Sequence, residues 1–179
     1  MKVTKAQLLR IMPHANRLRI DDDLKTLNEW APRFGIDTPL RMAHFLAQVA
    51  QESGEFRYTE EIASGSAYEG RKDLGNTQKG DGVRFKGRGY IQLTGRANYQ
   101  AYQDSGYCVG NLMARPELLS LSPGRMKSAL WFFATHGCLK YADLDDIRMV
   151  TRKVNGGYNG LAQRMYYWRL AKKVFGIVS

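Results

Sequence analysis

The stretch from Thr38 to Tyr58 constrains this chain more than any other, because its residues spell a helix that ends on a glutamate. Thr38 is a favoured N-cap, and Pro39 suits the first helical position, where its missing N–H costs nothing. Leu40, Ala43, Leu46 or Ala47, and Ala50 recur at helical spacing, and Phe45 and Val49 widen the apolar stripe. Gly54 is placed to end the helix in a left-handed cap. Glu52 therefore falls in the last turn, at the negative end of the helix dipole and beside the stripe. Both surroundings disfavour its anion, so its pKa is expected to be raised. A carboxylic acid held protonated near neutral pH is what a general acid needs. The plain alternative is a solvated carboxylate, one of seventeen acidic residues.

At 179 residues, with 44% hydrophobic and 11% aromatic side chains, the chain suits one globular domain with a substantial core. Met1-Lys-Val-Thr-Lys-Ala-Gln lacks the apolar run of a signal peptide, and no later segment reaches transmembrane length. Synthesis in the cytoplasm, without membrane insertion, is the expectation. Cys108 and Cys138 are not spaced as a metal knuckle and are expected as free thiols. The formal charge of +10 points to an anionic partner, for which nucleic acid, a membrane surface and bacterial cell wall all qualify. The charge is dispersed, apart from Arg169, Lys172 and Lys173, so it also reads as a solubility device.

Along the chain, Thr4 and Gln7 form a capping box for a helix through about Met12. Asp21-Asp-Asp opens a second helix with Leu24, Leu27, Ala31 and Phe34 inward, which Pro32 disturbs and Gly35 ends. From Glu69 to Gly89 the chain is polar and glycine-rich, as in a long adaptable loop beside a functional cleft. Gly87-Arg-Gly is not a dinucleotide loop, because Gln92 stands where the third glycine belongs. There is no P-loop and no His-Glu-x-x-His, and His14, His44 and His136 are scattered, so neither cofactor nor metal is expected. Tyr90-Ile-Gln-Leu-Thr alternates like a short strand, with Tyr90, Gln92 and Thr94 on one side and Ile91 and Leu93 on the other. Thr94 also reads as an N-cap for a helix starting near Gly95, with Asn98 one turn on. Ser122-Pro123 caps a helix bearing Met126, Ala129, Leu130 and Phe133, which Gly137 ends, and Asp143 caps another through about Val154. Asn155-Gly-Gly breaks the chain and can present an asparagine, before a last helix from about Leu161 to Phe175.

Phe45-Leu-Ala-Gln-Val-Ala-Gln-Glu-Ser-Gly-Glu-Phe resembles the catalytic-acid segment of glycoside hydrolase family 19, the chitinase and phage-endolysin family. Gly87-Arg-Gly-Tyr-Ile-Gln-Leu-Thr-Gly-Arg-Ala-Asn-Tyr, Asn155-Gly-Gly and Gln163-Arg-Met-Tyr-Tyr follow in the order of that family's remaining signatures. The resemblance implies a mainly α, lysozyme-like two-lobed helical domain with a short β element and a central cleft, spanning 1–179 with no separate wall-binding module. It implies that Glu52 is the general acid. A second glutamate follows the acid in the endolysin branch at about the separation of Glu61, nine residues on, which makes Glu61 the candidate base and Glu60 its rival. Thr94 would position the attacking water. Gln92, Tyr90, Asn98, Asn155 and Arg164 would hold sugar or the carboxylates, with Arg164 expected near Glu61 to keep it ionised. An inverting outcome places the carboxyls roughly 6.5–9.5 Å apart in the productive state.

Peptidoglycan is favoured over chitin as substrate, because the wall is anionic and chitin gains nothing from positive charge. The expected enzyme is a monomeric endolysin, without cofactor, released to the periplasmic wall through a holin. The alternatives are a chitinase, a nucleic-acid-binding protein suggested only by the charge, and a silent wall-binding domain. Base-stacking motifs are absent, which argues against nucleic acid as partner.

Overall fold

The computed structural model describes residues 1–178 and is built almost entirely from helices. α1 (Lys5–Ile11) opens on the expected capping box, in which Thr4 Oγ1 accepts from the Gln7 amide at 3.2 Å and Gln7 Oε1 accepts from the Thr4 amide at 2.9 Å. α2 (Ile20–Trp30) carries three aspartates in its first turn, where they meet the positive end of the dipole. Pro32 stops it, a 3₁₀ turn over Pro32–Phe34 follows, and Gly35 turns the chain at φ 71°.

α3 (Pro39–Ser53) runs between the two ends read from the sequence: Thr38 Oγ1 accepts from the Arg41 amide at 3.2 Å, and Gly54 adopts φ 55°. Every residue from Met42 to Ala50 is buried, so α3 is the central helix rather than a surface one with a single inward stripe. His44 and Gln48 are therefore in the interior, where each polar atom must find a partner inside the protein.

The glycine-rich stretch after Glu69 is ordered rather than adaptable. It holds a 3₁₀ turn over Lys72–Leu74 and the short α4 (Asp81–Arg84), and buried Asp81 ties it to Arg96 at 2.6 Å. α5 (Arg96–Asp104) follows Gly95, which itself occupies the N-cap position, so Thr94 does not cap the helix. α6 (Gly124–Thr135) buries Met126, Ala129, Leu130 and Phe133 as expected, but its N-cap is Pro123, with no side-chain cap from Ser122. α7 (Cys138–Asp143) fills the interval between Gly137 and Asp143, for which the sequence suggested no helix. Asp146, not Asp143, caps α8 (Ile147–Asn155), because Asp143 is engaged by Arg41 at 2.6 and 2.7 Å. α9 (Leu161–Val174) completes the fold.

The short β element reduces, among the described residues, to two isolated bridges, Glu60 with Arg88 and Arg88 with Leu93. Gln92 is the reason: at φ 58° it is left-handed, and a strand cannot continue through such a residue.

The helices form two groups. α3 packs on α9, α8 and α7, with α1 on α9, whereas α2, α6 and the 3₁₀ turn over Pro116–Ser120 pack together, and α3 touches α6 where the groups join. One continuous set of buried apolar residues runs through both. Both cysteines are free, Cys138 in the core with its thiol pushed up to about 12 by burial. No helix among the described residues is long and apolar enough to cross a membrane.

Candidate active site

Glu52 leaves the last turn of α3 with its side chain 18% exposed, and its Oε1 accepts from Arg164 Nη2 at 2.5 Å. Arg164 is 2% exposed, the largest side chain fully inside the protein. Its remaining donors are also placed: Nη1 on Gln48 Oε1 at 2.7 Å and Nε on the Asn159 carbonyl at 3.1 Å. A guanidinium has no acceptor and can be buried only where its donors are matched in this way. Arg164, expected beside Glu61, thus lies on Glu52. The fixed positive charge faces the carboxylate that was assigned the protonated role, because α9 packs along α3.

Glu61 is held differently, by loop backbone. Its amide donates to the Gly87 carbonyl at 2.9 Å, and the Gly87 amide donates back to Glu61 Oε2 at 3.2 Å. Tyr68 donates its hydroxyl to Glu61 Oε1 at 3.0 Å. The burial and the carboxylate together push the Tyr68 hydroxyl's pKa up, which keeps it a donor. Glu60, the rival in sequence, has Lys86 at 3.0 Å and Arg88 at 3.2 Å. Partial burial works against its anion, yet the two cations prevail and hold its carboxyl below the usual range. The neighbours are therefore unlike: the Glu60 carboxylate is neutralised by two cations, whereas the Glu61 carboxylate accepts only from neutral donors and Lys86 reaches no further than the Glu61 backbone carbonyl, at 3.1 Å.

Gln92 and Thr94 converge on Glu61 at Gly87. A Cβ on Gly87 would lie 2.8 Å from Gln92 Oε1, 3.2 Å from Thr94 Oγ1 and 3.3 Å from Glu61 Oε2, so three oxygens surround that α-carbon. Gln92 Nε2 is used on the Gly89 carbonyl at 3.0 Å, and Thr94 Oγ1 donates to the Gln92 carbonyl at 2.8 Å. The three oxygens nearest that point are thus free to accept, which suits a water or hydroxyl that must give protons. Asn98 donates Nδ2 to the Thr94 carbonyl at 2.7 Å and so braces the same turn.

Tyr90 does not share this surface. It is fully buried, stacked on Phe56 at 4.6 Å between centroids, and donates its hydroxyl to Asp23 Oδ2 at 2.5 Å, while Arg125 takes Asp23 Oδ1 at 2.7 Å. The left-handed Gln92 breaks the alternation that had put Tyr90 and Gln92 on one side. Tyr90 is a core anchor and has no path to a sugar.

Asn155 ends α8, and Gly156 turns the chain at φ 75°. Its Oδ1 accepts from the Asn159 amide at 3.3 Å, and Gly160 lies so close to Gln51 that a Cβ there would meet Gln51 Nε2 at 2.7 Å. The turn is thereby seated against the end of α3, one residue from Glu52.

Sequence reasoning missed Gln48, Tyr68, Thr151 and the Asn159 carbonyl. Gln48 carried a usable signal, since it stands one helical turn before Glu52 on the same face. The basic group near the C-terminus also needs correction: Lys172 is buried, on Asp145 at 2.6 Å, so only Arg169 and Lys173 are exposed. Among the described residues, no group of three or more His, Cys, Asp or Glu side chains is placed to hold a metal ion.

No family model matches the chain. It is 26% identical over 200 residues to a glycosyl hydrolase family 19 domain-containing protein of Haemophilus influenzae, an alignment covering 94% of this chain and 95% of that protein. An Arabidopsis thaliana endochitinase is 34% identical over 118 residues, covering 65% of this chain and 39% of the plant protein. Among solved structures, chitinase C of Streptomyces griseus superposes with a TM-score of 0.77 at 22% identity, covering 97% of this chain and 92% of that one. A class IV chitinase from Zea mays gives 0.64 at 22% identity, covering 99% and 83%. At such identities the two structures share the lysozyme-like helical fold with this chain.

Proposed function

We propose that this chain, similar over nearly its whole length to a glycosyl hydrolase family 19 domain-containing protein, is a glycosidase of that chitinase-like family and an endolysin-type enzyme that hydrolyses β-1,4 bonds between the N-acetylhexosamines of bacterial peptidoglycan. Glu52 is the general acid. With Oε1 occupied by Arg164, Oε2 carries the proton to the glycosidic oxygen as the bond to the anomeric carbon breaks. Glu61 is the base, and it takes a proton from a water whose oxygen attacks the anomeric carbon from the opposite face, inverting the configuration.

The observation that carries this assignment is the convergence of Glu61, Gln92 and Thr94 around Gly87. A water beside Gly87, within reach of these oxygens, would find several acceptors for its two protons, and it needs two to four polar partners to be held. Glu60 is unsuited to the task, because two cations already claim it. Asn155, whose turn sits against the end of α3, and Asn98, which braces the Thr94 turn, are the residues assigned to hold sugar.

Peptidoglycan as the polymer is supported by the charge of +10, which favours capture of an anionic wall. The similarity to plant and Streptomyces chitinases supports a second assignment, a chitinase. Mass spectrometry of fragments released from purified peptidoglycan, run beside colloidal chitin, decides between them. Release of disaccharide-peptides from the wall with little product from chitin is expected, and the reverse would make the protein a chitinase. A proton NMR time course on a defined oligosaccharide should show the α-anomer first. An initial β-anomer, or 1,6-anhydro products lighter by one water, would overturn the two-carboxylate mechanism.

A further inference from the structure

α3 and α9 face each other through a row of polar side chains rather than through apolar ones alone. On α3 these are His44, Gln48 and Glu52, each four residues from the next, and on α9 they are Arg164, Trp168 and Lys172, at the same spacing. The outer end of the row is closed by Asp145: its Oδ1 lies 2.9 Å from His44 Nε2 and accepts from Trp168 Nε1 at 3.1 Å, and its Oδ2 accepts from Lys172 at 2.6 Å. The inner end is Glu52 on Arg164. Gln48 stands between them, fully buried.

The chemistry of its neighbours fixes which way the Gln48 amide points. Arg164 Nη1 can only donate, so the amide oxygen must face it, at 2.7 Å. The amide nitrogen is then left toward Thr151 Oγ1 at 3.3 Å, and Thr151, from α8, is also fully buried. Without that hydroxyl the buried amide nitrogen would have no protein acceptor, and the contact with Arg164 would be left alone to hold the orientation that serves the arginine. A buried arginine beside a reacting carboxylate is useful only if its fork stays in one place. A shift of about 1 Å at a catalytic group costs up to about 100-fold in rate.

Resting on the assignment of Glu52 as general acid, we infer that Gln48 and Thr151 are positioning residues for the reaction: Thr151 orients the Gln48 amide, Gln48 orients Arg164, and Arg164 fixes Oε1 of Glu52 so that Oε2 faces the leaving oxygen. Neither residue touches substrate. Both act on the geometry of the proton transfer, so their loss should lower kcat and leave KM nearly unchanged.

The test uses the full chain and a soluble chitooligosaccharide or permeabilised cells, with Glu52→Gln run alongside. Thr151→Val keeps the shape of the side chain and removes only the acceptor. It should lower kcat about fivefold, with KM changed less than about twofold, while Thr151→Ser restores the rate. Gln48→Leu should lower kcat on the order of 100-fold. Trp168→Phe, which removes a hydrogen bond at the far end of the same row, should lower Tm and leave kcat as it is. Wild-type kcat in folded Thr151→Val, failure of the serine to restore what the valine lost, or an equal loss in Trp168→Phe would overturn the inference. If Glu52→Gln itself stays active, the assignment of the acid fails instead, and the two failures are thereby told apart.

Discussion

The two walls that carry the carboxylates are built on different principles. Glu52 stands at the end of a fifteen-residue buried helix and is met by a chain of side chains from three helices: Arg164 from α9 contacts it, Gln48 from α3 accepts from Arg164, and Thr151 from α8 accepts from Gln48. Glu61 stands on an irregular segment, held by the backbone of Gly87 and the hydroxyl of Tyr68. One carboxylate is set by side-chain packing, the other by the path of the main chain. The difference suits the tasks proposed for them, since an acid must meet one oxygen of a bound sugar, whereas a base must leave room for a water between itself and the ring. It also means that the two walls should fail in different ways.

The largest effect is expected at the helical wall. Glu52→Gln keeps the shape and the contact with Arg164 but cannot give a proton, so turnover should fall by at least about 10²–10⁴-fold with Tm little changed. Lysis of permeabilised cells at a near wild-type rate would remove Glu52 from the reaction.

The loop wall separates Glu61 from Glu60. Glu61→Gln should cost turnover by about 10²-fold or more, and Glu60→Gln should cost mainly stability. Because Lys86 and Arg88 hold the folded Glu60 carboxyl below its unfolded value, its contribution is present above that value and is lost as pH falls through the lower, folded one. Wild-type protein should therefore lose stability in acid more steeply than Glu60→Gln, as measured by thermal melts between about pH 5 and pH 3. Equal losses of turnover in the two variants would move the base.

Gly87→Ala probes the loop wall without replacing a carboxylate. Its new methyl would enter the space among Gln92, Thr94 and Glu61, and the backbone there is not left-handed, so the fold should survive. A fall in kcat on the order of 10-fold to 100-fold is expected, with wild-type Tm. Unchanged turnover would show that the three oxygens hold nothing.

Tyr90→Phe should separate core from site. It deletes the hydrogen bond to buried Asp23, so stability should drop by about 1–3 kcal/mol while KM for oligosaccharide stays the same. A raised KM at unchanged stability would return Tyr90 to the sugar. The smallest effect concerns surface charge: Arg169→Glu with Lys173→Glu should weaken wall binding severalfold at low salt, and high salt should erase the difference. Lys172 is left alone because its ammonium is committed to Asp145.

Sequence by itself determined the parts whose causes lie within a few residues. The capping box at Thr4, the N-cap at Thr38, the stop at Gly54 and the apolar spacing of α3 and α6 are local agreements between side chain and backbone, and each stands where it was expected. Tertiary structure alone decided the rest. Arg164 and Glu52 are 112 positions apart, and Gln48 and Thr151 are 103 apart, and no periodicity reports which of two glutamates a distant guanidinium will meet. The turn at Gln92 shows the same limit at short range. Its alternating pattern favours a strand, but the left-handed backbone at φ 58° overrides it, and the residue is held by its neighbours: the Gly89 carbonyl takes its amide, the Gln92 carbonyl takes the Thr94 hydroxyl, and Tyr90 is pulled inward to Asp23. Local preferences are worth a few tenths of a kcal/mol to about 1 kcal/mol each, and a buried network of charges and hydrogen bonds outweighs them wherever the two disagree.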